Sequence, residues 1–154
     1  MFLSVHTAAG IFIGKQIPNP FLAFMVGFFS HFIVDMVPHG DDELNLWLEK
    51  GGRRIKIRNV VGLDIALSSA LVSAAISRVD IRCIPSILAA AFGSVLPDLV
   101  WWPWKIFEIS KEKLLFKFVN FHHNLQEKFK RNVSFKYGFA FQVLTLIGLA
   151  LLIF

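Results

Sequence analysis

The sequence lacks the residues on which several common kinds of site depend. It contains one cysteine, Cys83, so it can form neither an internal disulfide nor a cysteine-rich zinc site. Ser30 stands beside a histidine, but no recognisable nucleophile elbow surrounds it. The first residues offer no basic segment and no clear cleavage site, so we expect no removable signal peptide.

Charge is also scarce. Only 18% of the 154 residues are charged, against 55% that are hydrophobic, and there are 17 phenylalanines to a single tyrosine. Soluble domains carry about 25% charged residues, and a chain of this length cannot bury so much apolar side chain. We therefore expect residues 1–154 to form a single integral membrane domain whose excess apolar surface faces lipid.

Four segments are long and apolar enough to cross a bilayer, which requires roughly 17 to 25 helical residues. They are residues 20–37, 60–76, 84–104 and 137–154. Residues 1–17 are barely long enough, and either cross fully or form a short helix within the bundle. We expect them to cross. The small residues Ala8, Ala9, Gly10 and Gly14 favour close contact with a neighbouring helix.

Two stretches are polar. Residues 41–58 hold four acids and five bases, and residues 105–136 hold three acids and eight bases, both with apolar residues interleaved. This pattern is typical of amphipathic helices in the membrane interface. The predicted fold is therefore all-α: a polytopic membrane helical bundle of four to five transmembrane helices, with cytoplasmic interfacial amphipathic helices.

The basic residues predict the orientation. A helical hairpin separates the two polar stretches, so both lie on one side of the membrane. Together they carry thirteen Lys or Arg residues, whereas the other connections carry only Lys15, Arg78 and Arg82. The positive-inside rule then places both stretches in the cytoplasm and the C-terminus outside, in the inner membrane. Anionic lipid of the bilayer explains the net charge of +5, and we expect no specific nucleic-acid partner.

Ionisable residues within membrane spans cost free energy, so their presence indicates a specific role. In the predicted topology all five histidines fall on the cytoplasmic side together with several acids: His6, His31, His39, His122 and His123 with Asp35, Asp41, Asp64, Asp98 and Glu127. Two His-x-x-x-acid pairs, His31/Asp35 and His123/Glu127, place imidazole and carboxylate on one helix face. Such donors suit one or two zinc-like ions. A structural polar network or a proton relay is the alternative, and Asp98 alone could cap a helix.

Three short blocks resemble a known family. The run from Gly27 to His39 is similar to the Gly-x-x-Ser-His-x-x-x-Asp-x-x-x-His signature of small bacterial membrane proteins known as membrane-bound metal-dependent hydrolases. Residues 93–98 resemble the family's Gly-x-x-x-Pro-Asp element, and His6 its N-terminal histidine. That family is thought to be related to zinc-dependent phospholipase C and to zinc-dependent single-strand nucleases. The order of elements differs from the soluble enzymes, and their N-terminal tryptophan is missing here.

The resemblance implies a divalent-metal phosphoesterase that acts on a phospholipid or another phosphate ester at the cytoplasmic leaflet. Zinc is the expected metal, with ligands drawn from His6, His31, Asp35, His39, Asp98, His123 and Glu127. Asp64 is expected as a further ligand or as the general base, and Asp98 as a second candidate catalytic residue. The alternative is a non-catalytic membrane protein with a structural cluster or a proton or cation relay, whose basic loops bind lipid or a partner.

Overall fold

The computed structural model describes residues 1–37, 39–40, 52–107, 113–129 and 133–154. Over these ranges the chain is helical and contains no strand, which confirms the predicted all-α class. The helices are α1 (Leu3–Gln16), α2 (Pro20–Asp35), α3 (Arg53–Ile76), α4 (Ile84–Phe107), α5 (Lys113–Phe129) and α6 (Phe135–Ile153). A 3-10 turn at Ile81–Cys83 precedes α4.

Local sequence explains where α2 begins. The side chain of Asn19 accepts a hydrogen bond from the backbone N–H of Leu22 at 3.0 Å, and Pro20 occupies the first helical position. Both features are common helix starts, because the cap satisfies an unpaired N–H and proline has none to satisfy. The helix ends at Asp35, so Asp35 lies in its last turn, four residues after His31.

α1 lies at the centre of the bundle and packs against α2, α3, α4 and α6. Its apolar residues form one core cluster with residues of α3, α4 and α6: Ala8, Ile11, Ala75, Ile87, Ala91 and Ile153. A short helix surrounded by four others can present buried residues on almost every face. This arrangement explains why α1 has buried residues on every side, including the polar residues Ser4, His6 and Thr7.

Two glycines allow α1 to approach α4 closely. A Cβ atom added to Gly10 would lie 2.6 Å from the Cα atom of Ala91, and one added to Gly14 would lie 2.6 Å from the carbonyl oxygen of Ser86. Neither distance is sterically possible for a real side chain, so both positions require glycine at this helix separation. Small residues four apart are a common device for close helix packing in membranes.

Contacts at the two ends of α1 show which parts of α3 and α6 lie beside it. The backbone N–H of Leu3 donates to Asp64 at 2.6 Å, and Lys15 Nζ donates to the carbonyl oxygen of Ile153, the last residue of α6. The end of the bundle at which α1 begins and α2 and α4 finish is called the site end below. The opposite end, which includes the C-terminal residue, is called the far end.

Within the described ranges, three helices are long and apolar enough to span a membrane. The qualifying segments are Ile55–Ile76, Ile81–Val100 and Phe135–Ile153, each with a mean hydropathy of 1.7. α1 has 14 residues and α2 has 16, which at about 1.5 Å per residue are shorter than a bilayer core of about 30 Å. Crossing by α1 and α2 therefore stays a prediction.

The boundaries of α3 differ from those predicted. α3 begins at Arg53, inside the first polar stretch, rather than at residue 60. A run of basic residues does not end a helix, since lysine and arginine are good helix formers, and only the hydropathy pattern changes there. α5 lies within the second polar stretch, and burial of Val119 and His122 together with exposure of Phe121 shows that it has an inner and an outer side. Placement of these stretches in the membrane interface stays a prediction.

Candidate metal centre

Four side chains from three helices converge at the site end. They are His31 and Asp35 of α2, Asp98 of α4 and His122 of α5, and one ligand atom of each lies within 4.8 Å of all the others. We call this group the four-residue cluster. Because each helix supplies its residues near the site end, the cluster depends on the packing of the bundle and not on one continuous motif.

The two histidines are at the centre of the cluster. His31 Nε2 lies 3.0 Å from His122 Nε2, 3.4 Å from Asp35 Oδ2 and 3.7 Å from Asp98 Oδ1. His122 Nε2 lies 3.6 Å from the same oxygen of Asp35 and 4.0 Å from that of Asp98. Two imidazole nitrogens therefore face two carboxylate oxygens across a space only a few ångströms wide.

A backbone carbonyl determines which nitrogen of His31 carries a proton. His31 Nδ1 lies 2.8 Å from the carbonyl oxygen of Ser94, one turn before Asp98 on α4. A carbonyl can only accept, so Nδ1 must be the donor, and Nε2 of the neutral ring then presents its lone pair to the cluster. Metal-binding histidines commonly use their second nitrogen in this way.

His6 of α1 lies directly behind the cluster. Its ring stacks on that of His31 with centroids 4.2 Å apart, and its Nε2 atom lies 3.1 Å from Asp35 Oδ1. The amine nitrogen of Met1 lies 3.3 Å from the same oxygen. Asp35 thus directs one carboxylate oxygen at His6 and Met1 and the other at the two histidines of the cluster. His6 is not one of the four converging residues, and in this structure it holds Asp35 in position.

The cluster is enclosed. The side chains of His31, Asp35 and His122 are at most 3% exposed, whereas that of Asp98 is 19% exposed. The ring of Phe32 packs edge-on against His31 at 5.4 Å, which adds an apolar wall. Among the described residues, the crevice beside Asp35 and His122 is too narrow for a water molecule. Asp98 is therefore the member of the cluster nearest to solvent.

Two predicted site residues lie elsewhere. Asp64 accepts hydrogen bonds from the backbone N–H groups of Leu3 at 2.6 Å and Ser4 at 2.9 Å, so it caps the start of α1. The Nδ1 atom of His39 lies 2.7 Å from the carbonyl oxygen of Val37. Neither belongs to the four-residue cluster. The predicted functional roles of Asp64 and His39 have no support in this geometry.

The remaining predicted ligands are His123 and Glu127. Both lie on α5, but their side chains are outside the part of the structure that is described, as is the whole of Asp41. Their role in binding metal stays a prediction. The structure instead brings His122 into the cluster, a histidine that the sequence places on the cytoplasmic side but does not include among the expected ligands. In the sequence, only the position of His122 next to His123 indicates a role in the site, because the four-residue spacing to Glu127 favours His123 as the ligand.

Comparison of the chain with protein families, with curated proteins and with solved structures finds no match. The resemblance to membrane-bound metal-dependent hydrolases therefore stays a prediction from short motifs. What the structure adds is independent of that resemblance, because the proximity of His31, Asp35 and Asp98 is a property of the packed helices.

Proposed function

We propose that this protein is a divalent-metal-dependent hydrolase whose metal lies in the four-residue cluster. The observation that supports this is the convergence of His31, Asp35, Asp98 and His122 within 4.8 Å. Burying four ionisable side chains together within an apolar bundle is costly unless they are paired or bind a metal. Such a group of ionisable side chains inside a helix bundle is typical of functional sites, whereas ordinary helix packing uses apolar residues.

The donor set fits a first-row divalent ion. Two imidazoles and two carboxylates are ligands that zinc accepts in tetrahedral sites, with metal–ligand distances of about 2.0–2.2 Å. Ligand atoms around such an ion lie about 3.3–3.6 Å apart. Three of the measured separations, 3.4, 3.6 and 3.7 Å, are already close to this range. Zinc is our first choice, and manganese or iron would accept the same donors.

One change must accompany binding. The Nε2 atoms of His31 and His122 lie 3.0 Å apart, at hydrogen-bond distance, and with a neutral His31 ring that donates through Nδ1, His122 Nε2 is the donor between them. A metal ligand must present a lone pair, so the proton on His122 Nε2 has to leave or move to Nδ1. Metal binding should therefore release or relocate one proton and move the two rings apart by a few tenths of an ångström.

When bound, a divalent ion would supply Lewis-acid stabilisation and make a water molecule more acidic. The protein's own residues do the rest. Ser94 and His6 orient His31 and Asp35 through their hydrogen bonds. Asp98, the most exposed of the four, is the carboxylate best placed to meet a water or a substrate as ligand or general base.

We further propose that the substrate is a phosphate ester at the cytoplasmic leaflet, such as a phospholipid. The support is the bias of Lys and Arg towards the two polar stretches of the sequence, from which the positive-inside rule predicts that the site end faces the cytoplasm. Four to five membrane spans follow if α2, and then α1, cross beside the three longer helices.

The test begins with metal content. Detergent-purified protein should hold near-stoichiometric zinc or manganese, measured by inductively coupled plasma mass spectrometry, and lose it in His31→Ala and Asp35→Ala. Asp80→Ala is the matched control, because Asp80 is an exposed carboxylate at the far end. Metal-loaded protein should then hydrolyse phospholipids or phosphomonoesters, and Asp98→Asn should reduce the rate. Folded protein that takes up no metal from solution would disprove the proposal.

A non-catalytic polar network is the second candidate. It is favoured by the hydrogen-bond contacts within and around the cluster, above all that between His31 and His122. A network of this kind would stabilise the bundle. The two candidates differ in one measurement, since added zinc should raise the unfolding temperature of a metal protein and leave that of a purely structural network unchanged.

A further inference from the structure

A second feature of the molecule lies on the other side of α1 from the cluster. A cleft of about 620 Å³ separates α3 from α6, with the first turn of α1 at its floor. Its walls are mainly apolar and include Leu63 and Leu67 of α3 and Phe139 and Val143 of α6. Pockets for small molecules commonly have volumes of about 300–1,000 Å³. We call this space the α3–α6 cleft.

The walls of the cleft are exposed towards the site end, where Leu63 of α3 is 72% exposed and Phe139 of α6 is 45% exposed. At the far end, Ala75 of α3 and Ile153 of α6 belong to the buried core cluster that includes Ala8 and Ile11 of α1. The described residues thus leave an apolar space that is open towards the site end.

The surroundings of the cleft indicate what fills it. Its walls lie within Ile55–Ile76 and Phe135–Ile153, two of the segments long and apolar enough to span a membrane. The medium beside such segments is hydrocarbon. An apolar cleft that opens sideways at this depth admits lipid chains and excludes water-soluble ligands.

Charge at the site end indicates the kind of lipid. Lys56 lies one helical turn before Val60, a residue of the α3 wall, and Lys136 lies three residues before Phe139. Residues three or four apart share a helix face, so both cations stand above the open end of the cleft. Asp64 also lines the cleft, but it lies about 12 Å further along α3 than Lys56 and accepts the N–H groups of α1.

We propose that the α3–α6 cleft binds one acyl chain of an anionic phospholipid from the surrounding leaflet, with the phosphate beside Lys56 and Lys136. The apolar walls hold the chain, and the two cations select a negatively charged headgroup. This proposal does not depend on the metal centre, because the cleft and the four-residue cluster share no residue.

The test uses the full-length protein in phosphatidylcholine vesicles that contain a small fraction of phosphatidylglycerol with a photoreactive diazirine in one acyl chain. After irradiation, mass spectrometry should locate the label on Leu63, Leu67 and Val143. Unlabelled phosphatidylglycerol should compete for labelling, and added phosphatidylcholine should not. Lys56→Gln combined with Lys136→Gln should remove this preference for the anionic lipid.

Adjacent residues of α6 provide a matched pair of variants. Val143→Trp fills the cleft, whereas Leu144→Trp places the same side chain at a position that is 66% exposed and does not line it. Labelling of α3 should fall about tenfold in the first variant, equivalent to about 1.4 kcal/mol, and stay unchanged in the second. Equal labelling of Leu63 and of lipid-facing positions such as Leu144 would overturn the proposal. If Val143→Trp does not fold, competition on the wild-type protein decides, and equal competition by the two lipids overturns it.

Discussion

The two halves of α1 are held in different ways. In the first half, polar contacts dominate: the N–H groups of Leu3 and Ser4 donate to Asp64, and His6 bonds to Asp35. In the second half, Gly14 brings the backbone against α4, and apolar side chains surround the helix. The same helix therefore combines a polar end near the cluster with a close-packed apolar end.

This difference separates the residues that position a site from those that hold the bundle together. A hydrogen bond between membrane helices contributes only about 0.6–2 kcal/mol, because separated helices also find polar partners. Close packing at a glycine leaves no room for added atoms, so a substitution there forces the two helices apart. We therefore expect substitutions near the site end to alter metal binding more than stability, and those near the far end to do the reverse.

The largest effect is expected for His122→Ala. Removing one of two imidazole ligands should lower metal affinity by more than the roughly 10–100-fold that follows loss of an outer contact. Metal titration monitored by calorimetry measures the change. His39→Ala is the matched control at the same end of the bundle, since His39 is outside the four-residue cluster, and it should bind metal normally.

His123→Ala belongs in the same experiment. Sequence spacing predicts His123 as the ligand on α5, paired with Glu127, whereas the structure brings His122 to the cluster. Loss of metal in His123→Ala together with normal binding in His122→Ala would show that α5 is rotated relative to the arrangement described here.

The second largest effect is expected in the close-packed, apolar half of α1. Gly14→Ala should lower the free energy of unfolding by about 1–3 kcal/mol, because the new methyl group would overlap the backbone of α4. Gly148→Ala introduces the same group on α6 with nothing within 4 Å, and should leave stability unchanged or slightly raised. Thermal unfolding followed by circular dichroism compares the two. Equal stability of both variants would show that α1 and α4 are not packed this closely.

Part of this arrangement could be predicted from the sequence. Composition predicts the helical class, and the i, i+4 spacing places His31 and Asp35 on one face whatever the rest of the fold does. The alternation of spans brings Asp98 to the same end. The choice between His122 and His123 could not be made, because adjacent helix residues point about 100° apart and only the packing of α5 decides which faces inward.

The role of Asp64 could not be predicted for a related reason. Its partners, Leu3 and Ser4, are about 60 residues away in the chain, and capping of one helix by a side chain of another leaves no local pattern. An acid within a span looks the same in sequence whether it binds metal or caps a helix. Only tertiary structure separates these two roles.

A substitution of His6 tests whether this residue positions Asp35 or binds the metal directly. If it positions Asp35 without touching the metal, His6→Phe, which keeps an aromatic ring of somewhat larger size but removes the hydrogen bond, should lower metal affinity by about 10–100-fold. Metal titration of His6→Phe beside His122→Ala measures this. Unchanged affinity would rule out a positioning role, and a loss as large as that in His122→Ala would make His6 a direct ligand, as the sequence predicts.

The smallest effect is expected for Asp64. Asp64→Ala removes the cap from α1 and should cost about 0.5–2 kcal/mol of stability, while metal content stays unchanged. Asp64→Asn keeps one acceptor oxygen and should cost less. Paired measurements of unfolding temperature and metal content distinguish a capping role from a role in the metal site. Loss of metal without loss of stability would show that Asp64 belongs to the metal site. If stability falls and metal content does not, Asp64 is a structural acid that holds the polar half of α1. A carboxylate near the site end is then not sufficient evidence of a catalytic role.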